Sequence, residues 1–423
     1  MMYQRTHRIL LVLLALLPTV QALADQQVTV AALTNGTVSV DKPTASTGET
    51  VTLTISPAEG FRLKNGSLLV EQVTQSSNGD SGNLRRSAVG GIGLFVGVNR
   101  TSVATYSFVM PATDVEVRAF FKEKEAEGTT VMIEASESSD TTVPVTGVTV
   151  SVTNDEQTGG IVIDEVVVPD DKYGTNIAVQ IPATVTDAEG NEVPVTGIAG
   201  NALYGQTDVT DVYLPETDEP LDIAENALCI DNHDGEDHQV VTVHTPLSML
   251  DDYALMASLG ENYETGKIQA TARAIHRYWT FSCGVDVKLP IGVTFYACRQ
   301  LDEGNIEIVR IDEDVIKANN GVLIACADDE GNAYEMVASP NENLPSGSVP
   351  STHNARSYEG NLLEPVIQSA HFSAGDYFVM ANNAFYAIAE ENSDARIPAC
   401  KAVLHLQENV QYSKKMNVVK RSR

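Results

Sequence analysis

A short phrase occurs twice in the middle of the chain. Residues 198–203 read IAGNAL and residues 223–228 read IAENAL, so the copies start 25 residues apart. Between them lies VTDVYLP at 209–215, an alternating apolar run closed by Pro215. A unit that short cannot bury its apolar face alone and must stack on a neighbour. The middle of the chain is therefore expected to be a short solenoid.

The pattern I-x-x-x-A-L, a polar turn, then V-x-x-V-x-L-P resembles the BspA-type leucine-rich repeat. VQIP at 179–182 and VPVTGI at 193–198 resemble the way the first such repeat begins. Leu203 and Leu228 stand where that family prefers phenylalanine. The resemblance covers roughly residues 145–265. It implies a surface protein of Bacteroidetes type, with the repeats and their caps at 126–265.

Residues 1–24 read as a secretory signal peptide. Arg5, His7 and Arg8 make a basic start, and the apolar run at 9–17 is too short for a good membrane span. Ala22 and Ala24 supply the small residues a signal peptidase needs, which places cleavage before Asp25. The expectation is a secreted or cell-surface protein without a transmembrane segment. A formal net charge of -30 repels nucleic acid and anionic membranes. The five cysteines, Cys229, Cys283, Cys298, Cys326 and Cys400, are an odd number, and most sit beside apolar residues. They are expected as small buried hydrophobes, with their pairing left open. None has zinc-site spacing, so no metal and no cofactor are expected.

Residues 25–125 alternate as strands do at 28–33, 36–40 and 49–55, with a tight turn at Asn35-Gly36. The run from Asn35 to Leu63, with YSFVMP at 106–111 and DVEVRAF at 114–120, resembles the bacterial repeat domain related to the divergent InlB B-repeat. The glycine-rich stretch at 74–102 interrupts that pattern, and KEKEAEG at 122–128 reads as a charged linker.

The acid- and histidine-rich DNHDGEDH at 231–238 is the most polar turn of the chain. An EF-hand would need a glutamate at its twelfth position, and Thr242 stands there. It reads as a solvated turn. Apolar residues at helical spacing over 247–259, ended by Gly260, predict a short closing helix.

Six strands are expected in residues 266–409: 278–281, 292–297, 305–311, 321–325, 375–380 and 384–388. WTFSC, GVTFYA, IKANNGVLI and IPACKAVL resemble the carboxyl-terminal β domain that follows leucine-rich repeats in many Bacteroidetes surface proteins. Cys400 replaces a usual glycine there, and Val403 a usual tyrosine. Residues 410–423 read as a free basic tail. The whole is expected as mainly β and multi-domain: a small β domain, a short leucine-rich-repeat solenoid, and a carboxyl-terminal β-sandwich-like domain.

No nucleophile elbow, helical His-Glu pair or phosphate loop occurs, so the expectation is a non-catalytic protein. Strict alternation through Val212 and Leu214 turns Asp211 and Tyr213 outward onto one face of the solenoid sheet. Those two residues are the candidate binding site, since exposed tyrosine is favoured at recognition surfaces. Adhesion or binding to a host or bacterial surface protein or glycan is the expected function. An architectural spacer and a glycan-utilisation accessory protein are the alternatives. Oligomeric state is left open.

Overall fold

Alternating β-branched residues build almost everything in the chain. The computed structural model describes residues 25–73, 95–124, 130–137, 140–155, 157–186, 190–230, 239–259, 265–273, 276–302, 304–326, 333–339, 358–374, 376–389, 395–406 and 412–420. It is mainly β throughout. The expected signal peptide, the polar turn at 231–238 and residues 74–94 of the glycine-rich stretch lie outside the described residues.

Two four-stranded sheets and a two-stranded one form the first domain among the described residues. In Thr50–Pro57 every second residue points inward, so Val51, Leu53 and Ile55 meet Phe108, Val115, Val117 and Phe121 in one core. The turn at Asn35-Gly36 does not close a hairpin. Gln26–Val30 pairs with Thr44–Ala45 and Val115–Arg118, whereas Gly36–Val40 pairs with Thr50–Pro57. The turn instead hands the chain from one sheet to the other. Asn35 takes the left-handed φ of 65°, and a Cβ on Gly36 would meet the Phe121 ring at 2.7 Å. Part of the expected linker is ordered structure: Phe121–Glu123 pairs with Phe61–Leu63.

Two parallel ladders build the solenoid. On one side Ile161–Val167, Glu192–Ile198 and Asp222–Ile223 stack, with Ile198 directly opposite Ile223. On the other, Ile177–Gln180, Val209–Tyr213, Val241–Thr245 and Thr265–Arg273 stack. Val179, Val212, Val243 and Ile268 are register partners and form a buried inward row. The repeated phrases make the corner between the ladders. Asn201 and Asn226, the shared asparagines, both adopt left-handed backbone at φ 62° and 59°. Asparagine tolerates that region better than most residues. The N–H of Asn201 donates to the carbonyl of Asn226, and that of Leu203 to the carbonyl of Ala227. The copies differ at their third residue because a Cβ on Gly200 would lie 3.1 Å from the Glu225 carbonyl.

The expected single helix is three short turns, Leu247–Met249, Leu250–Leu255 and Ala257–Leu259, broken by extended backbone at Met256. Tyr253 is fully buried there, and its hydroxyl accepts the N–H of Leu221.

Position 265/266, expected as a domain boundary, lies inside a continuous sheet. Thr265–Arg273 pairs with the solenoid on one side and with Ala333–Ser339 on the other. Solenoid and carboxyl-terminal residues accordingly share one core, from Ile133 to Cys400.

The carboxyl-terminal part also contains a nine-stranded sheet running from Tyr278–Phe281 to Leu363–Val366. The part is mainly β, as expected, and this sheet curls until its first strand meets Lys401–His405, next to its last. Ala402 N–H donates to Thr280 Oγ1 at 3.2 Å and Ser282 Oγ donates to the Lys401 carbonyl at 2.5 Å, nearly closing a barrel. The expected free tail is corrected as well. Lys415–Lys420 is a strand inserted between Asn305–Arg310 and Ala384–Ala387. Met416 is fully buried, while Lys415 and Lys420 lie over the rings of Tyr386 and Tyr296. Lysine stems cover apolar surface while the charge stays wet, so a basic strand can pair in the sheet.

All five cysteines are buried and none is disulfide-bonded. Among the described residues, no helix is long and apolar enough to cross a membrane.

Candidate functional site

Parallel register places Gln180, Tyr213, His244 and Gln269 side by side on successive strands. Their neighbours Val179, Val212, Val243 and Ile268 point into the core, so strand alternation turns this row to the opposite face. Asp211 lies two residues before Tyr213 and shares its face. The structure therefore brings both expected residues together, and adds two that the sequence reading missed.

Those two are His244 and Gln269. The Tyr213 and His244 rings stack at 4.0 Å between centroids, with 9° between their planes. His244 Nε2 lies 2.8 Å from Asp211 Oδ1, and His244 Nδ1 lies 3.1 Å from Gln269 Nε2. A carboxylate only accepts, so Nε2 carries the proton and donates to Asp211. Nδ1 then accepts from the Gln269 amide. Thr210 Oγ1 donates to the other Asp211 oxygen at 2.8 Å. The imidazole is thereby fixed in one tautomer and one orientation. A signal for His244 did exist: VVTVHTP at 240–246 lines up with VTDVYLP at 209–215, with histidine at the tyrosine's place and a proline closing both.

The row is half sunk rather than raised. Side-chain exposure is 11% for His244 and 24% for Asp211, enough for atomic contact and too little for free motion. Gln269 is 2% exposed, and its Oε1 accepts no hydrogen bond among the described residues. Burial pushes the Tyr213 hydroxyl above its ordinary range, and the charges of Asp211 and Glu335 push it further. The phenol stays protonated at neutral pH and can donate.

A comparable group recurs in the carboxyl-terminal sheet. Tyr377 stacks on His405 at 4.5 Å, and His405 Nδ1 lies 2.6 Å from Glu364 Oε1. Phe372 meets Tyr377 edge-on at 5.0 Å. In both places a carboxylate locks an imidazole that supports a phenol ring.

Both ring nitrogens of His244 are held by protein groups. The imidazole is thus a fixed support beneath the Tyr213 ring.

No curated protein and no solved structure matches the chain. Residues 26–80 match the family model of the divergent InlB B-repeat domain, which supports the reading of the first domain as a bacterial repeat domain.

Proposed function

We propose that the chain is an exported, non-catalytic surface protein that binds a surface protein or glycan through the solenoid sheet around Asp211 and Tyr213. The observation that carries this is the Tyr213–His244 stack held by Asp211 and Gln269. A ring fixed in advance contributes contact area with little further loss of rotamer entropy on binding. The parallel stacking of the IAGNAL and IAENAL corners supports a BspA-like leucine-rich repeat. The amino-terminal repeat domain suits a surface role, although fold alone does not assign function.

Residues 25–423 applied to glycan and matrix-protein arrays test the reading. A hit that disappears in the Asp211→Asn, Tyr213→Ala double variant supports it. A partner held with equal affinity by that variant removes this face from consideration. Silence across the arrays favours the spacer alternative, which the ion-paired joint between the first domain and the solenoid also suits.

A further inference from the structure

Cations collect where the first domain meets the solenoid, against the trend of an acidic chain. The chain carries 27 Lys and Arg against 57 Asp and Glu. At this joint Arg62, Lys64, Arg100, Lys122 and Lys124 gather around Asp164, Glu165 and Asp170. The joint encloses an open groove of about 430 Å³, which Arg62, Lys64, Arg100 and Lys124 help to line.

Two kinds of cation line this groove. Arg62 bonds Glu165, and Lys122 at its edge bonds Glu165 as well. Arg100 is 9% exposed and donates to the carbonyls of Ser102, Val103 and Gly205 and to Asp170. Arg62 and Arg100 build the wall. Lys64 and Lys124 are exposed and take part in none of the ion pairs among the described residues. Lys64 acts on Asp164 only through its charge, without a direct ion pair.

The rest of the lining suits a polyhydroxylated ring. Tyr106 and Tyr204 supply aromatic surface, and Asn65 and Gln206 supply amides. Those amides brace the wall and shape the groove: Asn65 Nδ2 donates to the Val166 and Ala202 carbonyls, Gln206 Nε2 donates to Asn65 Oδ1, and Gln206 Oε1 accepts the Val168 N–H. The volume is at the small end of the range for ligand sites and fits one or two sugar rings. A chain this acidic repels anions at long range, so a local surplus of unpaired lysines in a concave, partly aromatic groove is selective for an anion that can also use the walls.

We propose that this groove is a second binding site, separate from the Asp211–Tyr213 face, for a saccharide that carries a carboxylate. Lys64 and Lys124 meet the carboxylate, and Tyr106 and Tyr204 pack against the ring.

Calorimetric titration of residues 25–423 tests this with digalacturonate and with N-acetylneuraminic acid, which carry the same chemistry from two sources. Digalactose and N-acetylglucosamine are the neutral controls, and inorganic phosphate tests for a simple anion. Binding of either acidic sugar, weakened by salt, is expected. The Lys64→Gln, Lys124→Gln double variant should bind about tenfold more weakly with an unchanged melting temperature. Tyr204→Ala gives an independent reading, since loss of ring contact lowers affinity without changing the salt dependence. No binding of either acidic sugar overturns the proposal. Equal binding of the neutral sugars, equal binding of phosphate alone, or unchanged affinity in the lysine double variant does so too.

Discussion

Glu165 of the solenoid receives Arg62 of the first domain at 2.6 Å, and the carboxylate is only 3% exposed. Lys122 bonds the same oxygen, and the Asn65 N–H donates to the other at 2.8 Å. Burial alone would raise the Glu165 pKa, but the bonds from Arg62, Lys122 and Asn65 outweigh it and hold the group below its ordinary range. Three groups of one domain thus converge on one buried carboxylate of the next.

That convergence predicts a large effect from a small change. Glu165→Ala removes the carboxylate that both cations meet at the joint, and breaking a buried pair typically costs about 3–5 kcal/mol. The expected result is a separate, earlier melting transition for the first domain in calorimetry. The pH sign follows from the depressed folded pKa. The joint's stabilisation is complete above the ordinary glutamate range and is lost as pH falls through the folded value. A single unshifted transition in Glu165→Ala would show that the domains do not depend on this contact.

Asp251 has the opposite sign. It is 3% exposed, and burial together with the neighbouring Asp252 raises its pKa from 3.8 to about 6. A carboxyl whose folded pKa lies above its unfolded one stabilises the fold below the unfolded value. That stability is lost as pH rises through about 6. A shift of this size corresponds to roughly 3 kcal/mol. Asp251→Asn keeps an acceptor for the surrounding N–H groups and removes the charge. It should be more stable than the parent at pH 7.5 and about equal to it at pH 4. Denaturation midpoints at the two pH values decide this, and a variant no more stable at pH 7.5 would contradict it.

Cys400 sits in left-handed backbone at φ 55°, where its side chain is 1% exposed. A hydrogen bond with the Cys283 thiol, followed by burial, drives its pKa far above the ordinary range, so it stays a thiol. A non-glycine residue pays about 1 kcal/mol for that conformation, and a β-branched one pays more. Cys400→Gly relieves the backbone and loses buried contact, so it should remain within about 1 kcal/mol of the parent. Cys400→Val should be the less stable of the two by urea denaturation. The reverse order would mean that packing, not backbone conformation, governs this turn.

Local alternation made part of the site legible. Val212 and Leu214 point inward, and Asp211 and Tyr213 turn outward from the same rule. His244 lies 31 residues further along the chain, and only the parallel register brings its ring onto Tyr213. Gln269 was hidden because Thr265–Arg273 reads as the start of a new domain, whereas it is another strand of the same ladder. The strand Lys415–Lys420 was obscured by its charge, since its apolar content is confined to Met416, Val418 and Val419 and its partners lie far away in sequence. Repeated phrases and strand alternation are local signals; sheet order and closure are not.

The corner of the solenoid offers a direct test of stacking. Ile198 and Ile223 are register partners at 1% and 3% exposure, and the Ala224 N–H donates to the Ile198 carbonyl at 3.0 Å. Glu225, two residues on, is exposed. Removing the Ile223 side chain opens a cavity under the neighbouring coil, which typically costs about 2–5 kcal/mol. Removing the Glu225 side chain should cost about 0.5 kcal/mol or less, as surface changes do. Ile223→Ala should therefore unfold at clearly lower urea than Glu225→Ala, with the solenoid and the sheet that continues from it lost together because they share one core. Equal midpoints for the two variants would mean that the two phrases do not stack.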